Sequence, residues 1–425
     1  MPNMNNNKRV GLHLMMVAAC LAVSGTQADT FTVINTTDNG GGSLRQAIIN
    51  ANNSSGTDTI AFNIPGGGPH TIQPISVLPE LIYPVIIDGY TQPGASENTN
   101  PVGLGINAVM MIELDGSLAR TGVGADGLNL YGGNSIVRGL VINRFDGNGI
   151  GIAQGGGNVI EGNFIGTDIT GTVAAGNAGD GFNTLGGVQI YSSDNTIGGT
   201  TAAARNLISG NNVSGVWISL SADNTVQGNL IGTNATGLHA LPNLDGVVTS
   251  NTSNTIIGGT TVAARNVISG NFREGVHLGP TTGALPDQVL GNYIGTDITG
   301  LSALGNGQNG VRVQGNDNWV GGAEAGAGNV ISGNGEYGVA LVGGATTDNL
   351  VQGNLIGTDA TGTVPLGNGR GAGVFIFAVP GNLIGGTTSG AGNVISGNNV
   401  GVDIRTAGSV VEGNLIGTDI SGTGG

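Results

Sequence analysis

The sequence predicts an all-β fold, a single-stranded parallel β-helix (solenoid) with a short capping helix at its N-terminal end. Three observations carry this reading. The phrase GN-x-IGT-[D/N] recurs at nearly even spacing, at Gly162, Gly228, Gly291, Gly353 and Gly413. ISGN phrases ending at Asn211, Asn271, Asn334 and Asn398 fall between those copies. Self-similarity at a fixed period marks a stacked array. Second, strand openings of the GV-x-[I/V/L/T] kind fall at ten glycines, Gly127, Gly149, Gly187, Gly215, Gly246, Gly275, Gly310, Gly338, Gly373 and Gly401. The intervals, roughly 20 to 40 residues, are those of a solenoid repeat. Third, each interval holds at least one further short strand bounded by Gly, Asn, Thr and Asp, and none has a helical period long enough for a βαβ crossover. One coil per interval, each strand pairing with its counterpart in the next, is the solution left. Ten such coils and roughly two more near Val85 and Ile112, at about 4.8 Å per step, make a rod on the order of 55 Å long.

Composition narrows the class. Glycine is 84 of 425 residues but proline only 13, with no G-x-y period, so collagen is excluded. Charged residues make up 9% of the chain, the net charge is −15 and Lys8 is the single lysine. A nucleic-acid partner would need a basic footprint that this chain lacks. Residues 1–28 read as a signal peptide: Lys8 and Arg9 precede the apolar Val10 to Val23, and Thr26-Gln27-Ala28 suits cleavage before Asp29. The lone cysteine, Cys20, sits in a lipobox-like setting, but Leu21-Ala22-Val23 after it fits a lipoprotein poorly, so cleavage after Ala28 is the expectation. The mature chain then has no disulfide and no Cys-based metal site. No later stretch is an unbroken apolar run of membrane-spanning length, so no transmembrane segment follows the signal.

Residues 29–84 form the expected N-terminal cap. Phe31 and Val33 suit a strand, and Ser43-Leu44-Arg45-Gln46 has the form of a capping box opening a helix over 43–52. Leu44, Ala47, Ile48 and Ala51 fall on one face of it. Such a helix would cover the first open edge of a β array. The phrase GGSLRQAI at Gly41 to Ile48, with IDGYTQPGAS at Ile87, IELDGS at Ile112 and VRGLVINRF at Val137, resembles the CSLREA-type bacterial exported proteins. Gly42 and Gln46 stand where that motif has Cys and Glu, which removes any thiol role. The resemblance covers nearly the whole mature chain and implies a right-handed parallel β-helix of the pectate-lyase-like type, without implying an activity. Residues 85–425 are the repeats of that helix.

The repeated Asn and Asp residues read as structural. Asn163, Asn229, Asn292, Asn354 and Asn414, and the ISGN asparagines, suit stacked amide ladders at the turns. Asp168, Asp297, Asp359 and Asp419 each open a T-D-x-[T/S]-G turn, and Asn234 in the same place favours an Asx-turn over a Ca²⁺ ligand.

Chemistry is sought where the copies differ. Alternation turns Val216 and Ile218 of the GVxI strand inward and Trp217 and Ser219 outward. Over ten copies the outward set of 20 positions holds five aromatics, Tyr131, Tyr191, Trp217, Phe375 and Phe377, in a chain with only 2 Trp, 6 Tyr and 8 Phe. Flat rings beside His277 and Arg312 suit the faces of sugar rings. Drift at tolerant exposed strand positions is the competing explanation, and the loop after Thr361 is a second way to account for Phe375 and Phe377, as a cover over them. Catalytic candidates are few: Asp245 and Glu274, each just before the glycine of consecutive coils, with His277 close by. A pair of carboxylates about 5 Å apart would suit acid and nucleophile roles. Hydrolases and lyases of the pectate-lyase-like kind use clustered Asp with a Gly-His-Gly phrase, or acidic Ca²⁺ ligands with an Arg or Lys base, and neither set is present. No P-loop, zinc spacing or Ser-His-Asp context occurs, so no metal or cofactor is expected. The expectation is therefore a secreted or cell-surface protein for adhesion or carbohydrate binding, its partner a polysaccharide or cell-surface glycan. The alternatives are a polysaccharide lyase or glycoside hydrolase, and a structural spacer. The chain stops at GTDISGTGG, where earlier copies run on, so further domains beyond Gly425 are expected.

Overall fold

A parallel strand leaves its N–H and C=O groups unpaired on both edges, so one copy of the repeat cannot stand alone. Stacking supplies the partners. The computed structural model describes residues 28–119, 124–179, 186–283, 285–343, 346–369 and 371–424. Residues 1–27, and with them Cys20 and nearly all of the expected signal, lie outside that set. Three parallel sheets run the length of the molecule, with 13, 12 and 10 strands, here sheets 1, 2 and 3. From Leu128–Leu130 onward each coil contributes one short strand to each. Ser214–Ser219 lies in sheet 3, Thr225–Gln227 in sheet 1 and Leu230–Ile231 in sheet 2, after which a loop returns the chain to sheet 3 at Val247–Ser250. The result is a right-handed parallel β-helix. Thirteen strands in sheet 1 correspond to a rod of roughly 58 Å at about 4.8 Å per step.

The ten GV openings are the ten strands of sheet 3, in the expected register: Val188 beside Val216, Val216 beside Val247, Val247 beside Val276. The core is the stack of inward Val and Ile from all three sheets; Val216, Ile218, Val226 and Ile231 of one coil are all fully buried. Each such side chain contributes about 1.5–3 kcal/mol relative to exposure.

Corners explain the polar part of the repeat. At the bend between sheets 1 and 2, Asn163, Asn206, Asn229, Asn266, Asn292, Asn329, Asn354, Asn393 and Asn414 stack, each amide donating to the next carbonyl oxygen at 2.8–3.3 Å. At the end of sheet 2 a second ladder runs from Asn177 to Asn398 through Asn211, Asn243, Asn271, Asn306, Asn334 and Asn368. The GN and ISGN phrases thus mark two corners, and each ladder alternates their asparagines with others, such as Asn206 and Asn243, that carry a different local phrase. The long period of the GN phrase spans two coils because the Asp-turn loops occur on every second one. These loops also stack: the N–H groups of Ala235, Ile298 and Ala360 donate to the carbonyls of Gly171, Gly237 and Gly300 at 2.8–3.0 Å. Within them Asp297 Oδ1 accepts from the Thr299 N–H at 3.1 Å, as an Asx-turn requires, and from the Thr299 hydroxyl at 2.6 Å, while Asn234 Oδ1 accepts from the Thr236 hydroxyl at 2.7 Å and the His239 N–H at 3.4 Å.

The helix α1 spans Leu44–Ala51, with Ser43 as N-cap accepting from the Gln46 N–H at 3.2 Å. Leu44, Ala47, Ile48 and Ala51 face the first core layer beside Val33, Ile60 and Phe62. Sheet 1 begins well before Val85: Thr30–Val33 and Asp58–Phe62 are its first two strands, and α1 lies between them in the chain. The segment expected as a cap is therefore part cap and part first coil.

Candidate functional site

Outward residues of sheet 3 stand in rows because the register is unbroken. Gln189, Trp217, Val248, His277, Arg312, Ala340, Phe375 and Asp403 form one such row. Its middle is hollow. A cavity of about 360 Å³ lies over Trp217, Val248 and His277, walled by Ser250, Gly279 and Gln314 on one side and Leu244, Asp245 and Arg273 on the other. Gly279 opens the floor between Ser250 and Gln314. A Cβ there would approach the Thr249 carbonyl to 2.4 Å, so a side chain cannot be introduced without moving the strand.

His277 lies in the floor of this cavity. Burial, and then the Arg312 guanidinium, hold its imidazole below the ordinary value of 6.5, against the opposing pull of its bond to Gln314. It is therefore neutral at pH 7. Its Nε2 lies 2.7 Å from Gln314 Oε1; with the proton on Nε2 toward that carbonyl, Nδ1 is the basic nitrogen. Arg273 stands at the rim, exposed over much of its length, its Nη1 3.7 Å from Asp245 Oδ2. So loose a pair leaves the guanidinium free to meet an anionic ligand.

The two carboxylates have different surroundings. Asp245 lines the cavity. Glu274 is 0% exposed and is not part of its wall. Burial pushes the Glu274 carboxyl up, against the Asn309 hydrogen bonds and the charge of Arg312, whose Nη1 is 3.5 Å from Oε1. Both carboxylates also do a folding job that sequence reasoning missed. Asp245 Oδ1 accepts the Glu274 N–H at 3.1 Å, and Glu274 Oε2 accepts the Asn309 N–H at 3.0 Å. Asn148 and Tyr337 donate their N–H groups in the same way to Asp126 and Asn309. Residues just before the turn glycine thus make a ladder of their own.

The aromatic residues do not make one strip. Tyr191 is 41% exposed, with Gln189 donating to its hydroxyl at 2.9 Å, and lies one coil before Trp217. Tyr131 lies two coils before Tyr191 and is half-buried; burial and the nearby Glu80 and Asp126 push its hydroxyl up. Phe375 and Phe377 are five strand steps beyond Trp217, roughly 24 Å. Tyr337 stacks on Phe375 with ring centroids 4.3 Å apart, and Arg405 lies over it at 5.2 Å, so the cover of Phe375 is Tyr337 and Arg405. Phe377 remains 49% exposed. The structure brings Trp217, Asp245 and His277 into one cavity, keeps Arg312 beside it, and leaves Tyr131, Phe375 and Phe377 apart. Arg273 and Gln314 are the wall residues that sequence reasoning did not single out. Gln314 was visible as the second outward residue of its strand, whereas Arg273 comes from a turn.

Among solved structures, the chain is similar to the Azotobacter vinelandii mannuronan C-5 epimerase AlgE6 A-module, at 14% identity and a TM-score of 0.49, over 87% of this chain and 93% of that one. It is similar to the AlgE4 A-module of the same organism at 14% identity and a TM-score of 0.48, over 91% and 100% of the two chains. The catalytic domain of a GH87 α-1,3-glucanase in complex with nigerose matches at 10% identity and a TM-score of 0.46, over 90% and 69%. The likeness is one of fold. These neighbours are carbohydrate-active β-helix proteins. No family model and no curated protein sequence matches the chain, so the CSLREA-type resemblance stands on its motif residues alone. Among the described residues no helix is long and apolar enough to cross a membrane.

Proposed function

We propose that this is an exported or cell-surface protein that acts on a polysaccharide along the outward face of sheet 3, with the cavity between Trp217 and His277 as its centre. The observation that carries the reading is the convergence, in one cavity, of a Trp ring, a neutral imidazole, an arginine fork and a carboxylate. A pyranose ring stacks on Trp217; Gln314, Ser250 and Asp245 meet its hydroxyl groups; Arg273 meets a uronate carboxylate. His277 Nδ1 then takes the C5 proton next to that carboxylate, the C4=C5 double bond forms as the C4–O glycosidic bond breaks, and the departing sugar oxygen takes a proton from the imidazolium or from water, as a lyase requires. Two-carboxylate hydrolysis fits less well, because it needs both acids at the sugar and Glu274 is sealed beneath the surface.

Glycan binding without turnover is the second reading. It is favoured by the backbone hydrogen bonds that Asp245 and Glu274 accept, which account for both acids without chemistry. Incubation with alginate and polygalacturonate, followed by assay of unsaturated sugar ends, separates the two. Release that His277→Ala abolishes supports the lyase. Retention on those polysaccharides without release, weakened by Trp217→Ala plus Tyr191→Ala, supports binding alone. Neither release nor retention would sink both.

A further inference from the structure

The second tryptophan lies on a different face. Trp319 is an outward residue of sheet 1, 40% exposed, between Gln288 of the preceding coil and Leu350 of the next. In the neighbouring outward row Gly321 falls beside Gln352, while Gly258 of an earlier coil is beside Leu290. Gly321 has φ +79°, and a Cβ on it would reach the Gln352 carbonyl at 2.1 Å, so this position stays without a side chain. The gap is a slot of about 310 Å³ with Trp319 and Leu290 as apolar sides, Gly321 and Gly322 as floor, and Gln288, Gln352 and Glu324 as polar groups.

This coil is unlike its equivalents. Three equivalent segments read TIGGTT at Thr196, IIGGTT at Ile256 and LIGGTT at Leu383, whereas this one reads WVGGAE at Trp319. In two of the TT copies the second threonine caps the following turn, Thr201 through its hydroxyl to the Ala204 N–H and Thr261 likewise to Ala264. The turn after Trp319 forms without that hydroxyl, the Ala327 N–H donating to the Glu324 carbonyl at 3.1 Å. The coil has thus exchanged a folding residue for an exposed carboxylate, at the same place where it has exchanged a small or aliphatic residue for tryptophan. Both changes line one slot.

We infer that this slot is a second saccharide-binding site, separate from the sheet 3 cavity, and that it takes a single neutral pyranose unit of a polysaccharide. Its volume is at the small end of ligand pockets, which suits one ring. The indole offers a flat apolar face for the C–H side of the ring. Gln352 already donates to the Gly385 carbonyl at 2.8 Å, which leaves its amide oxygen as the remaining acceptor. Glu324 accepts from two hydroxyl groups. Among the described residues Glu324 is the one ionisable group in the wall, and it is a carboxylate, so a uronate is repelled where a neutral sugar is held.

The chain has only 2 tryptophans, so Trp217→Phe leaves Trp319 as the sole indole reporter. That variant is titrated by fluorescence with cellohexaose, mannohexaose, laminarihexaose and hexagalacturonate. A saturable change in emission with at least one neutral hexasaccharide, and none with hexagalacturonate, is the expected result. Glu324→Thr, which restores the repeat residue and its cap, weakens that binding at least 10-fold with an unchanged melting curve. Calorimetry on Trp319→Ala shows the same loss. Silence with every neutral hexasaccharide, a response to the uronate alone, or undiminished binding by Glu324→Thr would each overturn the proposal, whatever the sheet 3 cavity does.

Discussion

The corner between sheets 3 and 1 holds a third polar ladder, and its interruption at Thr255 and Asp287 makes a quantitative test. Asn158, Asn195 and Asn224 pass a side-chain hydrogen bond from each to the next at 2.8–2.9 Å, as do Asn349 and Asn382 further on. Between them stands Asp287, fully buried, accepting from the Thr255 N–H at 2.8 Å and from the Thr252 hydroxyl. A carboxylate has no proton to pass on. Its neighbour Asn318 is left with both side-chain polar atoms buried and unbonded. Burial pushes the Asp287 carboxyl above its ordinary 3.8, against the bonds from Thr252 and Thr255.

Asp287→Asn restores the missing donor. The Thr252 hydroxyl turns to accept, and the second amide proton reaches Asn318 Oδ1. Relieving one buried orphan and forming one ladder bond stabilises the fold by about 1–2 kcal/mol at pH 7. The pH dependence follows from the direction of the shift. A carboxyl with a raised folded-state pKa binds its proton more tightly when folded. The parent's share of stability is therefore present in full below about pH 3.8 and is lost as pH rises through the raised value. The protonated acid can also donate to Asn318, so the advantage of the variant is small at pH 3.5 and grows toward pH 7. Urea denaturation of both proteins across that range measures the difference directly, and titrations common to both cancel. A variant less stable than the parent at pH 7, or a difference flat in pH, would refute the reasoning.

Three further outcomes are expected. Asn266→Ala removes a ladder amide that donates to the Val226 carbonyl at 2.8 Å and to Asn292 at 2.9 Å, and should cost about 2–4 kcal/mol in urea denaturation; a loss below about 0.5 kcal/mol would mean that water replaces it. Arg265→Ala removes a guanidinium 4.0 Å from the Tyr293 ring centroid and a 3.1 Å bond to the Gly291 carbonyl, and should cost about 1–2 kcal/mol, read as a shift in the melting midpoint. If the sheet 3 cavity has lyase activity, its acid limb reports His277, and the apparent pKa from the rate against pH lies below 6.5; a limb above 6.5 would assign the base elsewhere.

Much of the fold was legible because a parallel β-helix repeats its solution. Alternation in GVxI named the inward Val and Ile, and S-x-x-Q named the cap of α1, since both depend on neighbours in sequence. The two-coil period was visible in the even spacing of the GN phrase, but not the fact that GN and ISGN belong to different corners. That assignment needs coils in register, which brings Asn206 against Asn229 and Asn243 against Asn271. The candidate site was half legible. Trp217 and His277 were found because they share a strand position, and Asp245 because it precedes a turn glycine. Arg273 comes from a turn with no fixed direction in sequence. Trp319 was not legible because it lies on sheet 1, outside the GVxI strands whose alternation sets inward and outward.

By itself, the sequence determined the architecture: local turn chemistry, strand alternation and a repeated length leave a chain of this kind one way to bury its Val and Ile while pairing its backbone. Only the tertiary structure decided which of the varied residues meet. Glu274 and Asp245 look alike in sequence, each one residue before a glycine in consecutive coils. Stacking places one at the wall of a cavity and the other wholly beneath the surface. Exposure depends on the coils above and below, residues a whole turn of the solenoid away in the chain, and local sequence carries no record of them.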